Sequence, residues 1–161
     1  MQVTETEPNE IYNRRILELA ANPAPSNRLD APDANATAYS KLCGSRISVD
    51  IKMDGQRVTA FGQDVKACAL GQAAAAIVAR HVLGATADEL YRLRETMHAM
   101  LKHNGPPPSG KWSDLAILEP VRAFRARHAS VLLVFDAVCK AMDMIKSGHP
   151  AAENSAGLVA P

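Results

Sequence analysis

Two of the three cysteines stand where a thiolate can do chemistry. Cys43 lies in a turn, Leu42-Cys43-Gly44, just ahead of a run of alternating residues, and Cys68 lies where a helix is expected to begin. At a helix start the unpaired backbone N–H groups and the helix dipole favour negative charge. Thiolate is the soft ligand preferred by iron–sulfur clusters and zinc, and it is also the nucleophile that accepts persulfide sulfur. Two loop-borne thiols suit either task. The plainer reading makes each of them a small buried hydrophobe, and spacing alone does not choose among the three.

The elements that must position these thiols follow from periodicity. Tyr12, Ile16 and Leu19 recur at helical spacing and Asn22-Pro23-Ala24-Pro25 stops them, which predicts a short amphipathic N-terminal helix. An acidic loop over Ser26 to Asn35 leads into a weak strand, Ala36 to Ser40, and a turn at Gly44. Ile47, Val49, Ile51 and Met53 alternate with Ser48, Asp50 and Lys52, which predicts a strand with one buried face. Asp54-Gly55 then turns the chain into a return strand, Arg57 to Phe61, bounded by Gly62.

The rest reads as helical. Leu70, Ala73, Ala74, Ile77 and Val78 form a stripe ending at Gly84, and Thr86-Ala87-Asp88-Glu89 is a capping box opening a second helix whose face carries Leu90, Leu93, Met97 and Leu101. A Gly-Pro-rich excursion from Gly105 to Gly110 follows, then a short helical piece with Leu115, Leu118 and Val121, interrupted by Pro120. Ser130 to Ile145 reads as a buried last helix, and the tail from Ser147 to Pro161 is expected to be mobile. Strands followed by helices predict an α+β domain over residues 1–146, a small antiparallel three-stranded sheet with helices packed on one face.

Composition narrows the function. With 161 residues and 47% hydrophobic content the chain supports one well-filled core. Eighteen Lys and Arg against seventeen Asp and Glu create no strong field, so neither nucleic acid nor a membrane is an expected partner. The first seven residues, Met1 to Glu7, are acidic and polar and do not read as a targeting signal, which makes a cytoplasmic protein the expectation. An odd number of cysteines argues for reduced thiols over a disulfide framework. No phosphate-binding Gly-rich loop and no Ser-His-Asp arrangement points to an unrelated enzyme.

Leu42-Cys43-Gly44-Ser45-Arg46 ahead of a strand resembles the Cys-Gly-Asp turn of the NifU/IscU/SufU family of iron–sulfur cluster assembly scaffolds. The run Phe61-Gly62-Gln63-Asp64-Val65-Lys66-Ala67-Cys68-Ala69-Leu70-Gly71 is similar to that family's strand leading into a cysteine at a helix start. Upstream, Tyr12 to Leu17, Asn22-Pro23 and Arg28-Leu29 resemble its N-terminal helix and following loop, while the Pro-rich excursion is like the SufU branch. The resemblance implies an IscU/SufU-like fold and a protein, not itself an enzyme, that accepts sulfur from a cysteine desulfurase, carries a transient iron–sulfur cluster or zinc, and serves acceptor apo-proteins. It implies Cys43 and Cys68 as metal ligands. Ser45 stands at the position of the family's Asp, Ser130 at that of its third cysteine, and Arg127 at that of an arginine three residues earlier.

Serine hydroxyls seldom ionise near neutral pH, so a site of two Cys and two Ser is expected to bind a soft metal weakly. Cys139 is no substitute for a third ligand. Nine residues at about 100° each place it roughly opposite Ser130 on the same helix, which makes it a core residue. Arg127 lies on about the Ser130 face, within reach of an anionic site; His128 is a fallback ligand if the helix begins after it. His81 and His98, single histidines within helices, receive no role. Three functions stay open: cluster scaffold, persulfide relay without metal, and an interaction module that regulates cluster assembly.

Overall fold

The computed structural model describes residues 13–21, 27–41 and 44–148. Tyr12, the Asn22-to-Pro25 stop, Cys43 and the tail beyond Gly148 lie outside the described residues.

Helix α1, Arg14–Ala21, is opened by Asn13, whose Oδ1 accepts the Ile16 N–H at 3.0 Å. Its buried residues, Ile16 and Leu19, pack it against α2, Ala69–His81. The sheet is three-stranded and antiparallel in the order β1 (Ala34–Ser40), β2 (Ser45–Asp54), β3 (Arg57–Lys66). Its inner face carries Ala34, Ala36, Ile47, Val49 and Ile51, all buried, and Gln63, whose side-chain amide donates to the Ala75 carbonyl of α2 at 3.1 Å. Helix α3 is Ala87–Lys102 and α4 is His128–Ser147. The last helix is the hub: it packs on β1, β2, α2 and α3 at once, which is why twelve of its residues, from His128 to Met142, are buried.

The α+β architecture with helices on one face is as expected; four local readings change. Gly62 does not end the return strand. It pairs with Asp50 inside β3, and a Cβ there would run into the Asn27 carbonyl, so glycine marks a close backbone approach and not a strand end. Asp50, expected on a solvated face, is 1% exposed. Arg28 donates to it through Nε at 2.6 Å and Nη2 at 3.0 Å, the Leu29 N–H at 3.0 Å, and Asn35 through its amide. The acidic loop thus covers part of the outer sheet face. The first long helix stops at His81, with Val82 as its C-cap, and Gly84 lies beyond it, donating its N–H to Val58 at 2.8 Å.

The last change concerns the segment after the Pro-rich excursion. Gly110–Ala123 is a long 3-10 helix, followed by a short 3-10 turn, Arg125–Arg127. Trp112, Leu115, Leu118 and Val121 are its buried residues, each three positions from the next. At 3.0 residues per turn such a series falls on one line, whereas on an α-helix it would drift off the face. Glu89 ties the segment to α3: Thr86 Oγ1 caps Glu89 N–H at 3.1 Å, and Trp112 Nε1–H donates to the Glu89 carboxylate at 2.7 Å.

Candidate functional site

One end of the sheet gathers the described residues that the family resemblance assigns to a site. Ser40 pairs with Ser45, and Arg46 pairs with Lys66, so the β1–β2 connection and the exit of β3 emerge side by side. The connection is the segment that holds Cys43 in the sequence; the exit leads through Ala67 to Cys68.

Cys68 is the N-cap of α2, with extended backbone angles, φ −70° and ψ 176°. Its side chain does not cap the helix. The sulfur turns instead to α4, where Sγ lies 3.0 Å from Ser130 Oγ. Ser130 sits in the first turn of α4 and is 2% exposed, while Cys68 is half-buried. Residues 62 apart in sequence therefore share one hydrogen bond, made between the start of α2 and the start of α4. Ser45, the first residue of β2, is buried at the same end.

The other expected residues fall elsewhere. Arg127 is exposed and is the N-cap of α4, three residues before Ser130. His128 is already helical, which removes the condition on which it would serve as a ligand. Its imidazole is buried and its Nε2 meets the Arg122 carbonyl at 3.0 Å, so it ties α4 to the end of the 3-10 segment. Burial, reinforced by Lys102 and Arg125, holds its pKa below the ordinary histidine value even though backbone carbonyls pull the other way. Cys139 is a core residue: burial pushes its thiol up to about 12, and its S–H donates to the Leu90 carbonyl of α3 at 3.6 Å. His81 pairs with Asp114 and meets Trp112 edge-on, and His98 shares Asp136 with Arg94.

Among the described residues no group of three His, Cys, Asp or Glu is placed to hold a metal ion. The described part of the site offers a thiol and a neutral hydroxyl in contact. Alone, that pair does not fit a tetrahedral soft-metal centre, which needs four donors and favours thiolate or imidazole. It does fit a nucleophilic sulfur held in place by an O–H donor. Periodicity and spacing do not reveal the Cys68–Ser130 contact; the family resemblance, which assigns both positions to one site, does.

Comparisons with known proteins bear on the fold and the family. The family model for the NifU-like N-terminal domain matches residues 11–129. The crystal structure of a nitrogen-fixing NifU-like protein (N-terminal) from Brucella abortus superposes with a TM-score of 0.84 at 52% identity, covering 86% of this chain and 96% of that one. A protein assigned as an iron–sulfur cluster assembly scaffold for the SUF system, from Fervidobacterium islandicum, superposes with a TM-score of 0.77 over 84% of this chain and 99% of its own; at 15% identity the likeness is one of fold. No curated protein matches the chain. With its family model spanning α1 through the start of α4, the chain belongs to the NifU-like N-terminal domain family, the scaffold family its two cysteine motifs resemble.

Proposed function

We propose that the protein works in iron–sulfur cluster assembly as a sulfur-accepting scaffold, with Cys68 as the acceptor and a cysteine desulfurase as the donor. The observation that carries this reading is the 3.0 Å contact between Cys68 Sγ and Ser130 Oγ at the family's cysteine position. In the transfer, the Cys68 thiolate attacks the outer sulfur of the desulfurase persulfide. The donor's S–S bond breaks as the new one forms, and the desulfurase cysteine leaves as thiolate, so no external oxidant or reductant is consumed. Ser130 Oγ–H donates to Cys68 Sγ and fixes the direction of attack.

A nascent cluster, or zinc in its place, is cargo that needs more donors than Cys68 and Ser130 supply. Cys43, two residues before the buried start of β2, is the second thiol on this reading, and the remaining donors come from a partner or a small thiol. Arg127, exposed at the start of α4, is placed to meet anionic cargo or an acidic partner surface. Acceptor apo-proteins complete the set of partners, and the Pro-rich excursion from Gly105 to Gly110 is the feature that favours the SufU-like branch. No helix among the described residues is long and apolar enough to cross a membrane; a cytoplasmic site of action is part of the proposal.

The test is persulfide loading. Protein purified without oxygen is incubated with a cysteine desulfurase and cysteine, and Cys68 is read by mass spectrometry in the native chain and in Cys43→Ser and Cys68→Ser variants. Sulfur on Cys68, absent in Cys68→Ser, is the expected result; an unmodified Cys68 under conditions that charge the desulfurase overturns it. Metal and acid-labile sulfide are measured on the same samples. The expected content is far below one equivalent, and near-stoichiometric iron with sulfide, or zinc, lost in both variants would show an autonomous metal site instead.

A further inference from the structure

The first turn of α2 contains a glycine where its neighbours make alanine the obvious choice. Residues 73–76 of this helix are four consecutive alanines, yet position 71 is Gly71, in a helix where glycine costs about 1 kcal/mol relative to alanine. Gly71 is buried, three residues after Cys68 and therefore on the same side of α2. A Cβ at this position would lie 2.7 Å from Ala67 Cβ, 2.9 Å from Ser130 Oγ and 3.1 Å from the Ser130 carbonyl oxygen. Two of those three neighbours cannot yield cheaply, since one is rooted on the backbone and the other is backbone. Only the Ser130 hydroxyl can rotate away, and in doing so it abandons Cys68.

We infer that Gly71 is a positioning residue of the sulfur site: its missing side chain is what lets α2 and α4 approach closely enough for Ser130 to hold the Cys68 sulfur. The inference deepens the sulfur-acceptor reading and rests on it for its functional consequence, but its geometric content stands apart. A methyl group at position 71 either turns the Ser130 hydroxyl out or drives the two helix starts apart. Both lengthen the 3.0 Å contact beyond a hydrogen bond.

Two readouts separate the geometry from the function. For geometry, Ser130→Cys is combined with Gly71→Ala, and diamide-induced crosslinking to Cys68 is compared with that of Ser130→Cys alone. The expected result is crosslinking slowed by about tenfold, since a displacement of a few tenths of an ångström moves the two sulfurs off bonding distance. For function, persulfide loading of Cys68 is followed in Gly71→Ala, Ser130→Ala and the double variant. Each single change is expected to slow loading by about tenfold, the worth of one hydrogen bond to a charged group, and the double variant to be no slower than either, because both act through one contact. Thermal melts accompany each variant, and Ala67→Gly with Gly71→Ala, which removes the tightest of the three contacts, replaces Gly71→Ala if that variant does not fold. Unchanged crosslinking in a folded Gly71→Ala protein overturns the inference, as does native loading in that variant, or additive slowing in the double variant. If the native chain takes up no sulfur at all, the sulfur-acceptor reading falls while the crosslinking arm still decides the role of Gly71.

Discussion

Cys68 and Cys139 carry the same side chain into opposite surroundings. The sulfur of Cys68 faces a hydroxyl at the mouth of two helices, whereas that of Cys139 is sealed between α4 and α3, 6% exposed, with burial pushing its thiol up to about 12. The expected outcome of iodoacetamide treatment of the folded protein at pH 7.5 is alkylation of Cys68 with Cys139 unmodified until the protein is unfolded, read peptide by peptide by mass spectrometry. Equal labelling of the two would contradict the burial that separates them. The fate of Cys139 was legible in the sequence because it follows from helix geometry alone: half a turn of phase relative to Ser130 puts it among other neighbours. The role of His128 was not. Helix α4 begins at that residue without a side-chain cap on Arg127, so the Ser, Thr, Asp or Asn that would have marked the start is missing from the sequence.

At the scale of elements, what escaped the sequence is what depends on distant partners. The alternation of β2 correctly assigns Ile47, Val49 and Ile51 to the core, but period two says only that Asp50 faces the other way. What covers it is Arg28, 22 residues earlier. Arg28→Ala is expected to destabilise the protein by about 2 kcal/mol in urea unfolding, the scale of hydrogen bonds to a charged acceptor, with the exposed half of Arg28 keeping the loss below that of a fully buried pair. It should also alter the acid limb. Burial alone would raise the Asp50 pKa, yet Arg28, Asn35 and the Leu29 N–H hold it below the ordinary carboxylate value, so this stability is present above the unfolded pKa and is lost as pH falls through the folded one. Without Arg28 the acid-unfolding midpoint moves to higher pH; an unmoved midpoint would remove Asp50 from the account. Gly62→Ala tests the same layer from the backbone side. A methyl group aimed at the Asn27 carbonyl is expected to cost about 1–3 kcal/mol, visible as a lower melting temperature, whereas a glycine that merely ended a strand would tolerate alanine. The 3-10 segment was only partly legible: Trp112, Leu115, Leu118 and Val121 recur every three positions, but Ala116 and Ile117 between them also supply the fourth-position step of an α-helix.

For the whole molecule, the order of strands then helices prescribes a sheet with a helical layer, and α4 makes that layer cooperative by touching β1, β2, α2 and α3. His128 sits where this hub receives the 3-10 segment, so its protonation bears on global stability and not only on a local contact. Its folded pKa lies below the ordinary histidine value, chiefly through burial and with Lys102 and Arg125 nearby, against the pull of the Arg122 and Val121 carbonyls. The unfolded chain therefore binds the proton first as pH falls. Stability is full above about 6.5, declines from there toward the folded pKa at no more than about 1.4 kcal/mol per pH unit, and is flat with respect to this group below it. Asp50 and Glu89, whose pKa values are also held down, act in a lower window, so the two regions separate on the pH axis. His128→Gln keeps an N–H donor for the Arg122 carbonyl but cannot titrate. Its urea-unfolding free energy, measured from pH 7.5 to 5, should be nearly level where that of the native chain falls. Parallel curves over the whole range would mean that the hub does not sense this proton, and that acid sensitivity in the molecule belongs to its carboxylates.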